Sequence, residues 1–163
     1  MMKNLISTLG NRFGLTLFVL GFVAAVGGAI GVVRAADAPK TTMDGVYTAD
    51  QAGRGKTVYG NNCASCHMDD LSGSGQALPL AGDAFTETWE GQSVNDLFDL
   101  IHNTMPQDKP GTLTPDQTVD VISYVLQYNK FPAGSAELKS DPAALKDIMI
   151  SKKPSAAPKP SGQ

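Results

Sequence analysis

Cysteine and histidine are scarce in this chain, two of each among 163 residues, and there is a single tryptophan. Positive charge is not in excess either: 13 Lys and Arg stand against 16 Asp and Glu. A net charge of −3 offers no basic surface to a polyanion, which sets nucleic-acid binding aside. The length excludes a multidomain enzyme and suits one domain with a modest core. Internal repeats and low-complexity composition are missing, so collagen and wholesale disorder are excluded. Alternating patterns of the kind strands need are weak throughout, and the expected fold class is all-α.

Charge is absent altogether from Phe13 to Val33. Lys3 and Arg12 precede this apolar tract, which is the order of a secretory signal, and Val33-Arg34-Ala35 ends in small residues that a signal peptidase reads. Cleavage is expected after Ala35 or Ala36. The tract also reaches the length of a spanning helix, so residues 1–35 are expected to be either a cleaved signal peptide or a retained membrane anchor. Both put the remainder outside the cytoplasm, because the positive residues hold the N-terminus inside. Without residues 1–35 the chain has 10 basic and 16 acidic groups, a net of −6. Asp44 to Tyr128 carries −9, whereas Asn129 to Gln163 carries +3. An acidic body therefore has a basic tail, and Lys152 to Gln163, rich in Pro and Lys, is expected to be disordered.

Residues 36–47 read as a flexible leader. Thr48 and Gln51 have the spacing of a capping box, predicting a helix from Ala49 to about Asn61 despite the cost of Gly53 and Gly55. From Asp69 to Gly91 the chain is rich in Gly, Ser and Pro, a long loop for a compact domain unless it wraps around something. Ser93 and Asp96 open a second helix with Val94, Leu97, Leu100 and Ile101 at helical spacing, ending before Met105-Pro106. Thr114-Pro115-Asp116-Gln117 combines an N-cap, Pro at the first helical position and Gln at the third. It starts a helix whose stripe is Val119, Ile122, Val125 and Leu126. Beyond it, Ser140-Asp141-Pro142 begins a minor helix carrying Leu145, Ile148 and Met149.

Both cysteines fall in one motif, Cys63-Ala64-Ser65-Cys66-His67. At the end of a helix, C-x-x-C-H lets two sulfurs form thioethers to a haem while the next residue sets an imidazole on the iron. Two other readings compete. A CxxC redox disulfide would suit an exported protein, but such motifs sit in βαβ units and no strands are signalled here. A zinc site would leave its fourth ligand unassigned. A haem would also give the long loop a large apolar surface to pack on. For the far side of the iron the candidates are Met43, Met68, Met105, Met149 and His102. Met68 follows His67 directly and cannot reach the opposite face, and Met43 and Met149 lie in segments expected to be flexible. Met105, after a helix and before Pro106, is the preferred ligand, with His102 as its rival.

Residues 48–138 resemble a monohaem class I cytochrome c of the bacterial periplasmic kind. The resemblance rests on Gly55 and Tyr59, eight and four residues before Cys63, on the CASCH box, on Pro79-Leu80-Ala81-Gly82, on Thr104-Met105-Pro106, and on the final helix with Val121 and Tyr124. It implies three or more helices wrapped around one covalently bound haem c, with Gly55 meeting the Val121 and Tyr124 face. It further implies that the Pro79 carbonyl accepts a hydrogen bond from the His67 ring and that Trp89 packs near the haem edge or a propionate. Tyr124 to Gly134 is similar to small cytochromes found beside quinoprotein or sulfur-oxidising dehydrogenases. Residues 139–163 would be an extension. Relatives often carry Gly where this chain has Met68, and the basic docking face of mitochondrial members is absent.

With His67 and Met105 both on the iron, no coordination position is left for a substrate, which points to a one-electron carrier rather than an enzyme. The expected partners are redox proteins, a periplasmic dehydrogenase as donor and an oxidase or another cytochrome as acceptor. A haem protein whose distal site opens to peroxide or a gas is one alternative, and a thiol-disulfide oxidoreductase is the other.

Overall fold

The structure is a computed structural model that describes residues 39–152. Helices dominate it: α1 (Ala49–Asn62), α2 (Ala64–His67), α3 (Gly82–Trp89), α4 (Val94–Thr104), α5 (Pro115–Tyr128) and α6 (Pro142–Lys146). Two strands of two residues each, β1 (Lys40–Thr41) and β2 (Ile148–Met149), pair in parallel with Lys40 opposite Ile148. Among the described residues no helix is long and apolar enough to cross a membrane. Residues 1–38 and 153–163, with the export segment and nearly all of the Pro- and Lys-rich end from Lys152, lie outside the described residues.

The helix starts follow their capping chemistry. Thr114 accepts from the Gln117 N–H and Gln117 returns to the Thr114 N–H; Ser93 and Asp96 do the same for α4. The hydrogen bonds from Ser93 hold the Asp96 carboxyl below the usual carboxylate range. At α1 only half of the expected box forms. The Thr48 hydroxyl accepts from the Gln51 N–H, but the buried Gln51 amide turns away to the Leu138 backbone, donating to its carbonyl at 2.9 Å and accepting its N–H at 2.8 Å.

The core is organised by the crossing of α1 and α5. A Cβ on Gly55 would run into the Asp120 carbonyl and lie 3.1 Å from Tyr124 Cβ, so the two backbones meet where α1 has no side chain. The crossing therefore faces Asp120 and Tyr124, one residue from the expected Val121. Arg54 clamps it, donating from Nε and Nη2 to the Asp120 carboxylate at 3.1 and 3.0 Å and from Nη1 to Glu137 at 2.9 Å. Ala52, Tyr59, Ile122, Val125 and Leu126 are buried around this axis.

Three expectations are corrected. The loop expected from Asp69 to Gly91 contains α3, a helix whose N-cap, Ala81, makes no side-chain cap and so leaves no mark in the sequence. The leader expected over residues 36–47 is packed from Thr41 onward: Thr42 and Tyr47 are fully buried, and Tyr47 Oη donates to the Phe131 carbonyl at 2.6 Å. The extension expected from residue 139 is packed over its described part, with Leu145 and Ile150 fully buried. The two flanks meet through the β1–β2 pair and the Thr42–Ser151 hydrogen bonds, a pairing of distant segments that local patterns cannot disclose.

Candidate functional site

Cys63 ends α1 and precedes α2, with its N–H donating to the Tyr59 carbonyl at 2.8 Å. The single turn of α2 then carries Cys66 and His67, so the motif stands at the end of a helix as its spacing requires. Both cysteines are free; Cys66 is exposed and Cys63 half-buried. Burial, with a smaller contribution from Cys66, pushes the Cys63 thiol up to about 11. A redox-active CxxC needs the opposite, a thiolate stabilised near neutral pH, and the two short strands make no βαβ unit. Among the described residues no three His, Cys, Asp or Glu side chains form a group that could hold a bare metal ion, so the zinc reading has no ligand set.

His67 Nδ1 lies 3.0 Å from the Leu78 carbonyl oxygen. The expected acceptor was Pro79; the structure moves the contact one residue back, because a loop without periodicity gives no register from sequence. Pro79 itself is exposed. The loop that presents Leu78 is fastened at several points: the Gly73 N–H donates to the His67 carbonyl at 3.0 Å, Ser74 Oγ to the Cys66 carbonyl at 3.2 Å, and the Leu80 N–H to the Leu71 carbonyl at 2.8 Å. Asn129, at the end of α5, donates to the Leu80 carbonyl at 2.9 Å and accepts the Gly82 N–H at 2.8 Å. That role for Asn129 was not foreseen, and its position at a helix C-cap is the one signal that could have suggested it.

On the near side, Tyr59 Oη donates to the Met68 carbonyl at 2.7 Å, and its ring packs on Tyr124 with centroids 5.3 Å apart. Burial pushes the Tyr59 phenol up, so it stays a donor. Met68 holds φ +63° and ψ 159°, a conformation open chiefly to glycine.

Met105 is half-buried at the C-cap of α4, its N–H donating to the Ile101 carbonyl at 3.0 Å. His102 is engaged elsewhere: its ring stacks on Phe98, and Nδ1 lies 3.3 Å from Thr118 Oγ1. The Thr118 hydroxyl donates to the Thr114 carbonyl, so it accepts from His102. Met43 and Met149 lie in the packed flanks, and Trp89 is half-buried against the core.

These residues fit a haem. Two unpaired sulfurs and an imidazole with Nδ1 occupied leave the donor set that thioether attachment and axial ligation by Nε2 require. Among the described residues the large apolar side chains left exposed are Met68, Leu78 and Leu100, at 40%, 69% and 46%. They come from the motif's exit, the His67 loop and α4, the segments that a macrocycle between His67 and α4 would cover.

A mainly helical fold with a CxxCH turn at the end of its first long helix has the features that covalent haem attachment requires. Residues 52–129 match the family described as Cytochrome c, and this segment is a cytochrome c domain. Haem c covalently bound with its iron, and electron transfer through it, go with that family. No curated protein matches the chain. Among solved structures the sulfane dehydrogenase SoxCD from Paracoccus pantotrophus is similar at 24% identity, over 54% of this chain and 52% of that one, with a TM-score of 0.40. The chain thus spans about half the length of that protein chain, and a likeness at this level decides nothing about role.

Proposed function

We propose that the protein is a periplasmic one-electron carrier holding a single haem c, with thioethers to Cys63 and Cys66 and with His67 and Met105 as axial ligands. The observation that carries this reading is the 3.0 Å contact between His67 Nδ1 and the Leu78 carbonyl. A ring fixed in that way keeps its proton on Nδ1, turns Nε2 into the ligand and gains basicity, as metal-bound histidines do. When bound, the haem supplies an iron that gains or loses one electron. The chain supplies the rest. Cys63 and Cys66 tie the cofactor to α1, Tyr59 and Asn129 secure the segments on either side, and Met105 offers a soft thioether that favours the reduced metal more than a second imidazole would.

Occupation of both axial positions leaves none for oxygen or peroxide, which favours a carrier over an enzyme. The donor is a periplasmic dehydrogenase and the acceptor an oxidase or another cytochrome. The acidic body selects a basic docking patch on them, so reduction by the donor slows as salt screens exposed charge over about 8 Å at physiological ionic strength.

The test is Met105→Ala in the full-length exported protein. Its visible spectrum in the oxidised state should change, and its midpoint potential should fall by on the order of 0.1 V, within the roughly 0.8 V that axial ligation spans. A denaturing gel stained for haem should label the chain before and after the substitution. An unchanged spectrum and potential would refute the ligand, an unstained wild-type chain would favour the thiol-disulfide reading, and rapid carbon monoxide binding by the reduced wild type would favour an open distal site.

A further inference from the structure

The cytochrome c match covers residues 52–129, yet the fold continues on both sides of it, and the two flanks hold each other. β1 pairs with β2, and Thr42 Oγ1 donates to the Ser151 carbonyl at 3.2 Å and accepts the Ser151 N–H at 3.1 Å. The Gly134 N–H donates to the Tyr47 carbonyl at 2.7 Å, and Leu138 is tied to Gln51 of α1 through both backbone groups. The result is a belt anchored on α1.

The belt closes on the corner between α3 and α4. The Gly91 N–H donates to the Ile150 carbonyl and the Ile150 N–H to the Gln92 carbonyl, both at 2.9 Å, and Ser93 bridges Met149. Ser93 is the N-cap of α4. Leu145 of α6 and Ile150 are fully buried, and α6 packs on α4. At the other end of α4, a helix of 11 residues, the C-cap is Met105. A helix of that length is a rod of about 16 Å, and fixing one end of a rod limits the excursions of the other.

We propose that the belt of residues 39–47 and 138–151 is the positioning element of the distal side: it grips the first turn of α4 and thereby keeps Met105 in place. Local opening of a loop or helix end costs less than global unfolding, and its cost follows the buried contacts and protected hydrogen bonds of that element. Here those contacts at the start of α4 include many that the belt supplies. The inference rests on Met105 as the axial ligand.

The experiment uses the full-length, haem-loaded protein, reduced, with carbon monoxide as the probe of the distal position. Ile150→Ala empties a buried site under the corner, and the milder Thr42→Val removes both hydrogen bonds to Ser151 while keeping the side chain's shape. Lys56→Gly, on the exposed face of α1 and away from the belt, is the control for general destabilisation. Both belt variants should raise the carbon monoxide association rate, Ile150→Ala by about tenfold or more, equivalent to ~1.4 kcal/mol in the opening equilibrium. Lys56→Gly should lower Tm and leave the rate within about twofold. Equal acceleration in all three would overturn the proposal, as would an unchanged rate in both belt variants when Met105→Ala is fast. If Met105→Ala itself binds carbon monoxide no faster than wild type, it is the ligand reading that fails.

Discussion

Gly55→Ala adds one methyl group, and its consequence follows from the α1–α5 crossing. The new Cβ would lie more than about 1 Å closer to the Asp120 carbonyl oxygen than the 3.0 Å that Cβ atoms respect, and backbone cannot swing aside as a side-chain tip can. The helices must separate by roughly that amount, and a gap of 0.5–1 Å forfeits about a quarter to a half of each dispersion contact across it. The contacts at stake include the Tyr59–Tyr124 pair and the Arg54–Asp120 fork. Overpacking of this kind costs ~1–3 kcal/mol or more, whereas alanine in a helix returns ~1 kcal/mol over glycine. With rigid backbone on both sides the upper end of the overpacking range applies, and the net loss is about 2 kcal/mol. Gly53→Ala is the internal control: it lies on the same helix with nothing within 4 Å of its new Cβ, and should gain about 0.5–1 kcal/mol. Guanidinium unfolding of the haem-loaded protein, followed by far-ultraviolet circular dichroism, reads both. Equal effects at the two glycines would refute the close-approach account of Gly55.

Gln51→Leu strips the Leu138 backbone of both side-chain partners in a buried setting, and stability should drop by about 2–4 kcal/mol in the same unfolding assay, since each orphaned group costs ~1–3 kcal/mol. A loss under 0.5 kcal/mol would mean that water replaces the amide. Met68→Gly removes a side chain from a backbone conformation that strains it by ~1–3 kcal/mol, and even after the added freedom of the unfolded chain the protein should gain about 1 kcal/mol. A fall in Tm instead would show that the Met68 side chain contributes packing worth more than that strain.

What the sequence disclosed was local. CxxCH at a helix end, the Thr114 and Ser93 capping boxes and the apolar stripe of α5 each follow from residues within one or two turns, and each has its counterpart in the structure. What it withheld was distant or unpatterned. Gln51 looks like half of a capping box until Leu138, 87 residues away, is seen to claim its amide. Leu78 rather than Pro79 meets His67 because the loop's register is set by Gly73, Ser74 and Leu80 together, not by any one of them. The eight residues of α3 carry no cap and too few turns for a period to emerge. Lys40 to Thr42 and Ile148 to Ser151 are segments too short to announce that they pair with one another.

The meeting of Thr42 with Ser151 spans 109 residues, and it sets an order of assembly. Closing a loop of that length costs about 1.5 kcal/mol more than closing one of 20 residues, and nothing rewards it until the strand after α6 has been delivered. The hairpin of turns around Cys63, Cys66 and His67 is finished by short-range bonds alone. The two sulfurs thus reach their places while the chain ends are still apart, and the final clasp shuts over turns that are already formed.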